Sequence, residues 1–346
     1  MPPNDPAVPA QAGVVVGGSA LPRVGPRRRR TPARLALGTA VLGRPAYINT
    51  GSDSALPEHR TVEAYRDNTF RVLDAAVAAG VDWVDTARSY GRAEEFVGQW
   101  WRERAAADPD WARRAPTVSS KWGYAYVGDW NRDAPVHEVK DHSLPQFERQ
   151  LALTRATLPR LQLYQVHSLT LDSPLFDDGP LLDALARLRD SGVAVGFSTS
   201  GPGQGDTVLR ALGVWRAGAP LFSAVQSTWN LLETSASAAL AVASRRELTV
   251  MVKESLANGR LVTEPPPALC DVADRLGASP DAVALAATAA QPWATRVLIG
   301  PAGVDQLAAN ERAAGVELTD DDLAALTAQP EDPATYWAER SALPWR

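Results

Sequence analysis

The segment "WVDTARSYG" (83–91) ends a short apolar run at Asp85 and places Tyr90 five residues further on. Two later runs of the same kind, "PTVSSKW" and "LQLYQVH", carry Lys121 and His167 near their ends. These four residue types form one chemical set. A tyrosine is a poor acid at neutral pH, with an ordinary pKa of ~10. A neighbouring ammonium stabilises the phenolate and lowers that value. Lys121 is the group for this role, and a lowering of about two units corresponds to roughly 3 kcal/mol. Asp85 would keep Lys121 charged and in place, because an unpaired buried ammonium is costly. His167 can hydrogen-bond a substrate oxygen and orient it. The set predicts proton delivery to a carbonyl oxygen while hydride reaches the carbon. Taken singly, each residue has a plainer role, as a turn, loop-packing, solvated or core residue. Their conjunction at three successive strand ends carries the argument.

Such side chains need rigid elements behind them. From Ala33 onward, short β-rich apolar runs alternate with longer stretches of helical period. The runs are "RLALGTAVLG", "VDWVDTA", "PTVSSKW", "LQLYQVH", "VAVGFSTS", "FSAVQST", "LTVMVKES" and "TRVLIG". Between them, "TVEAYRDNTFRVLDAAVAAG" puts Val62, Tyr65, Thr69, Val72, Leu73 and Ala76 on one helical face and stops at Gly80. "PLLDALARLRDSG" stops at Gly192, and "VDQLAANERAAG" stops at Gly315. Eight strands alternating with helices predict an α/β protein of the (β/α)8 TIM-barrel type. The rival, an open doubly wound sheet, carries a glycine-rich turn after its first strand. "LGTAVLG" lacks that spacing. In a barrel, chemistry collects at the carboxyl ends of the strands. Ser198 and Thr199 on the fifth, Gln226 on the sixth, and Lys253 with Glu254 on the seventh fall at the same rim.

"DTARSYG", "SSKWG" and "LYQVHS" together resemble the aldo-keto reductase superfamily, over roughly Leu35 to Gly315. The resemblance implies an NAD(P)(H)-dependent oxidoreductase that interconverts a carbonyl (aldehyde, ketone or sugar) and an alcohol. Asp85, Tyr90, Lys121 and His167 would then be its catalytic tetrad. It further implies cofactor contacts from Gly38, Thr39, Ser198, Thr199, Gln226, Lys253, Leu256, Gln306 and Asn310. The sequence departs from the family pattern in three places. Thr199 stands where an asparagine amide usually grips the nicotinamide carboxamide. Lys253 stands where an aromatic ring often stacks, so it would pair with Glu254 or face the pyrophosphate; Trp229 is the candidate replacement surface. "GPAGVDQLAAN" lacks a Lys or Arg to grip a 2′-phosphate, which leaves both NADP and NAD open. Two other readings follow from these departures. One is a nicotinamide-binding regulatory subunit with little catalysis, and the other a Schiff-base lyase using Lys253.

Trp122 and Tyr124 follow Lys121 closely and are predicted to line the substrate pocket, with Tyr126, Trp130 and the tail aromatics Tyr336, Trp337 and Trp345 as further rim candidates. Two motifs lead elsewhere. "HEVKDH" (137–142) looks like a zinc helix motif, but a spacing of five sets the imidazoles roughly 140° apart on a helix, so no metal is expected. "GPGQG" (201–205) could cradle phosphate, though a mobile loop explains it equally well.

The bulk composition fits this picture. The chain is 45% hydrophobic and 22% charged, an ordinary globular balance. A net charge of −5 provides no basic field for nucleic acid. Its single cysteine, Cys270, excludes an internal disulfide and suits a reducing cytoplasm. No apolar run reaches the ~20 residues of a membrane helix. Residues 1–32 read as a flexible Pro/Gly/Arg-rich leader, with a short hairpin conceivable at Gly17-Gly18 and a solvated arginine run at 27–30. Residues 33–346 read as one barrel domain with a C-terminal tail. The expected partner is a small-molecule carbonyl or alcohol.

Overall fold

The computed structural model describes residues 33–47 and 56–345. The leader and its hairpin lie outside the described residues. Eight parallel strands close into a barrel in sequential order: β1 (Arg34–Gly38), β2 (Trp83–Asp85), β3 (Thr117–Trp122), β4 (Leu163–Leu169), β5 (Ala194–Thr199), β6 (Ala224–Thr228), β7 (Thr249–Lys253) and β8 (Arg296–Ile299). Each falls on one of the eight apolar runs, β4 extending two residues past its run to Leu169. β8 pairs back onto β1, so no barrel strand keeps an open edge. The barrel floor is plugged by Ala36, Leu163, Ala224, Met251 and Leu298. Larger apolar clusters fill the space between strands and helices.

Helices form where the sequence supplies both a cap and a stripe. α1 (Val62–Ala78) starts at Thr61, whose side chain accepts from the Ala64 amide at 3.2 Å. Its buried face is Tyr65, Thr69, Val72, Leu73 and Ala76, joined by Asn68, while Val62 is only partly covered. α2 (Ala93–Ala107), α3 (Leu144–Thr157) and α4 (Gly179–Asp190) follow. Gly80 and Gly192 end their segments with φ of +85° and +95°, a region open to glycine. After α5 (Gln204–Leu212), α6 (Ser237–Arg245), α7 (Pro267–Leu276) and α8 (Pro280–Ala289), α9 (Val304–Glu311) stops short of Gly315. Its last turn, Arg312–Gly315, tightens into 3-10 geometry, which satisfies end carbonyls with shorter-range bonds. α10 (Asp320–Leu326) and α11 (Pro333–Ala342) form the C-terminal segment.

Strand register sets the site. Gly38 lies opposite Asp85, Asp85 opposite Ser119, and Lys121 opposite Gln165. Tyr90 is held by close backbone packing. The Arg92 amide donates to the Gly43 carbonyl at 2.7 Å. A Cβ on Gly43 would sit 2.1 Å from the Tyr90 carbonyl oxygen, and one on Gly91 would sit 2.3 Å from that of Gly43. Neither loop can carry a side chain there without moving Tyr90.

Candidate active site

Asp85, Lys121, Tyr90 and His167 converge at the carboxyl rim. The buried Lys121 ammonium pairs with Asp85 Oδ2, donates to the Thr86 carbonyl at 3.0 Å, and lies 3.2 Å from the Tyr90 hydroxyl. Asp85 is held in turn by Ser119 Oγ at 2.6 Å, Gln165 Nε2 at 3.0 Å and Gln226 Nε2 at 3.2 Å. The carboxylate is therefore satisfied on both oxygens, as a buried charge requires. His167 meets Tyr90 edge-on, with ring centres 5.6 Å apart, and its Nδ1 lies 3.3 Å from Ser89 Oγ.

The electrostatics correct one expectation. The Tyr90 phenol lies well above 10, not below it. Burial is the main cause and the Asp85 carboxylate the next, with Arg44 opposing them only in part. Lys121 is close, but its charge is already matched by Asp85. Tyr90 therefore keeps its proton at neutral pH. Burial, followed by the Lys121 and Arg44 cations, pushes His167 well below its usual 6.5, so its ring is neutral.

These residues open onto a cavity of about 530 Å³, within the range of small-molecule sites. Asp85, Tyr90 and His167 line it, as do Tyr124, Gly38, Gln226, Lys253, Leu256, Gln306 and Asn310. Five sequence-predicted residues do not, the first being Lys121, which is fully buried against Asp85 and Tyr90. Trp122 is fully buried in the core between Phe147 and His142, because it is the last residue of β3 and turns outward toward α3. Thr39 is buried and donates to the Asp85 carbonyl at 3.2 Å. Ser198 Oγ accepts from the Ser168 amide at 2.8 Å, and Thr199 Oγ1 shares a 2.7 Å bond with Ser227 Oγ. Their hydroxyls are committed within the protein, and Ser200 lines the wall instead. Trp229 is also a core residue, packed on Trp293.

Lys253 pairs with Glu254 and donates to Thr228 Oγ1 at 2.6 Å. Burial lowers its pKa to about 8, against the pull of Glu254. Burial alone would raise Glu254, but Arg340 and Lys253 outweigh it and hold the carboxyl well below its usual range. "HEVKDH" forms part of an antiparallel hairpin, Tyr124–Tyr126 with Glu138–Lys140, rather than a helix. His137 stacks on Trp345 and His142 bonds Ser173 Oγ and the His167 carbonyl. No group of potential metal ligands occurs among the described residues. None of residues 201–205 lines the cavity.

Several wall residues gave no sequence signal. Arg44 is buried, ion-paired to Glu138 at 2.6 Å and bonded to the Ser89 carbonyl at 3.0 Å. Its guanidinium sits among the rings of Tyr47, Tyr90 and Trp345, at 4.9, 5.2 and 4.8 Å. Arg340 of α11 closes on Glu254. Nothing in their spacing announces these contacts; they exist only once the tail folds back over the mouth. Ser168 and Glu254 have φ of +52° and +57°, and both lie on the cavity wall. Strain of this kind is common at functional sites.

The cavity suits an elongated dinucleotide. It extends from Tyr90 to α8 and α9, and it is walled in part by side-chain-free backbone at Gly38, Gly259 and Gly300. Ser255 Oγ, also at the wall, is buried with no partner among the described residues. No helix among the described residues is long and apolar enough to cross a membrane.

The family model described as "Aldo/keto reductase family" matches residues 51–329. No curated protein matches the chain. Among solved structures, the fold is similar to the aldo-keto reductase AKR11C1 of Bacillus halodurans in its holo form, at 19% identity and a TM-score of 0.61, covering 87% of this chain and 93% of that one. It is also similar to a candidate aldo-keto reductase of Pseudomonas aeruginosa, at 22% identity and a TM-score of 0.57, covering 82% and 90%.

Proposed function

Because the chain belongs to the aldo/keto reductase family, we propose that it interconverts a small-molecule carbonyl and its alcohol with a nicotinamide dinucleotide, Tyr90 being the acid. The observation that carries this reading is the Asp85–Lys121–Tyr90 chain of contacts beside the neutral His167.

A bound nicotinamide would supply or accept hydride at the carbonyl carbon. The protein's own residues supply the rest. Tyr90 holds a proton at its hydroxyl and lines the cavity. As that proton leaves, Lys121 Nζ at 3.2 Å stabilises the charge that develops on oxygen. Asp85 keeps the ammonium aimed at that oxygen. If Ser89 donates to His167 Nδ1, the proton of the neutral ring sits on Nε2, free to donate to a substrate oxygen. Gly38, Gln226, Leu256, Ser255, Gln306 and Asn310 would hold the dinucleotide along the wall. Tyr124 and Trp345 shape the mouth and exclude water from the reacting end.

Lys253 is engaged by Thr228, Glu254 and the Trp337 face, which argues for a structural and electrostatic role over a Schiff-base nucleophile. The test is a panel of aldehydes, ketones and sugars followed at the nicotinamide absorbance with both NADH and NADPH. Turnover of at least one substrate class is expected. Tight dinucleotide binding with no turnover across the panel would instead favour a regulatory subunit.

A further inference from the structure

The two ends of the cavity differ in charge. Among the described residues lining it, the cations are Arg44, Lys253 and Arg340. All three stand near the reacting end and each is tied to a carboxylate: Arg44 to Glu138, Lys253 and Arg340 to Glu254. At the far end, where α8 packs against α9, the wall includes Leu285, Gln306, Ala309 and Asn310. The charged group there is a carboxylate, Asp281, half-buried in the first turn of α8. It has no hydrogen-bond or ion-pair partner among the described residues. Arg312 is exposed and outside the wall. Gln306 is engaged with its own loop, its Oε1 accepting from the Ala302 amide at 2.8 Å.

A dinucleotide with its nicotinamide at Tyr90 must run away from the reacting end, so its adenosine ribose reaches the α8–α9 end. NAD and NADP differ there by a 2′-hydroxyl against a 2′-phosphate. A carboxylate accepts a hydrogen bond from a hydroxyl. It repels a phosphate, and no cation among the described residues lining this end offsets that repulsion. We propose that Asp281 sets the cofactor preference, selecting NADH and disfavouring NADPH. This rests on the reading of the cavity as a nicotinamide dinucleotide site.

The test is calorimetric binding of NADH and NADPH to the full chain and to its Asp281→Asn and Asp281→Arg variants, at fixed salt and without substrate. Wild type should bind NADH about ten-fold more tightly than NADPH, or better. Asp281→Asn should narrow that ratio by raising NADPH affinity, and Asp281→Arg should reverse it. Equal or tighter binding of NADPH by wild type would overturn the proposal, as would a ratio that neither variant moves. If neither dinucleotide binds wild type, the functional reading itself fails, which is a separate outcome.

Discussion

Ser89 and His167 are joined by a 3.3 Å contact between Oγ and Nδ1, and Ser89 immediately precedes Tyr90 in the chain. One loop thus positions the acid and fixes the ring beside it. Ser89→Ala removes the group that holds Nδ1. A typical hydrogen bond contributes about 1 kcal/mol, so carbonyl reduction should fall roughly five- to ten-fold in kcat/KM. Dinucleotide affinity should stay unchanged. Steady-state kinetics with calorimetric binding checks this, and an unaltered kcat/KM would remove Ser89 from the account.

Tyr90→Phe deletes the proton donor and keeps the ring that packs on His167 and Arg44. Turnover should fall by about 10²–10⁴ while dinucleotide binding persists. A variant that turns over like wild type would show that the proton comes from elsewhere.

The pH profile of reduction follows from the two displaced titrations. His167 lies well below 6.5 and Tyr90 well above 10. Neither changes charge between those limits, so neither should put a step in kcat across that window. Turnover from pH 6.5 to 9 in a constant-ionic-strength buffer series measures this. A step near 6.5 that vanishes in His167→Gln would contradict the neutral ring.

The Lys121–Asp85 pair is buried, so breaking it on one side leaves an uncompensated charge. Lys121→Met should destabilise the fold by about 3 kcal/mol. The three neutral donors on Asp85 keep that loss at the lower end. Lys121→Met combined with Asp85→Asn should regain much of the stability and none of the turnover. Urea unfolding of the two variants separates the roles, and equal stability of both would refute the coupling.

Glu254 gives a pH-dependent contribution of definite sign. Its folded pKa lies well below its unfolded value of about 4.3, so the unfolded chain binds the proton first. The stability it contributes is complete above that value and is lost as pH falls below it. Glu254→Gln should cost about 3 kcal/mol at pH 7, where Arg340 and Lys253 lose their partner. The gap from wild type should shrink as unfolding is repeated toward pH 3. A gap that stays constant would mean the carboxylate charge is not what stabilises the mouth.

The barrel was legible because period-2 runs and helical stripes are local and recur along the chain. Asp85, Tyr90, Lys121 and His167 could be found because strand ends of a barrel share one rim. Trp122 could not be placed, since an aromatic residue next to a site residue points outward by strand alternation and enters the core. Ser198 and Thr199 lie off the cavity wall for a related reason. Their hydroxyls are taken by Ser168 and Ser227, neighbours that no linear spacing reveals. Arg44, Ser89, Glu138 and Arg340 stand on segments brought together from distant parts of the chain. Asp281 reads in sequence as an ordinary helix-start acid, and only its position on the cavity wall gives it another meaning.

The contact of Arg44 with Trp345, at 4.8 Å, joins residues from opposite ends of the described chain. During synthesis the barrel strands emerge in order and can pair as they appear. The mouth cannot assemble until α11 and Trp345 have followed. A nascent chain holding all eight strands would therefore have a complete barrel floor and an unfinished entrance, with Glu254 still waiting for Arg340. Assembly of the entrance therefore comes after the barrel strands have paired, not with them.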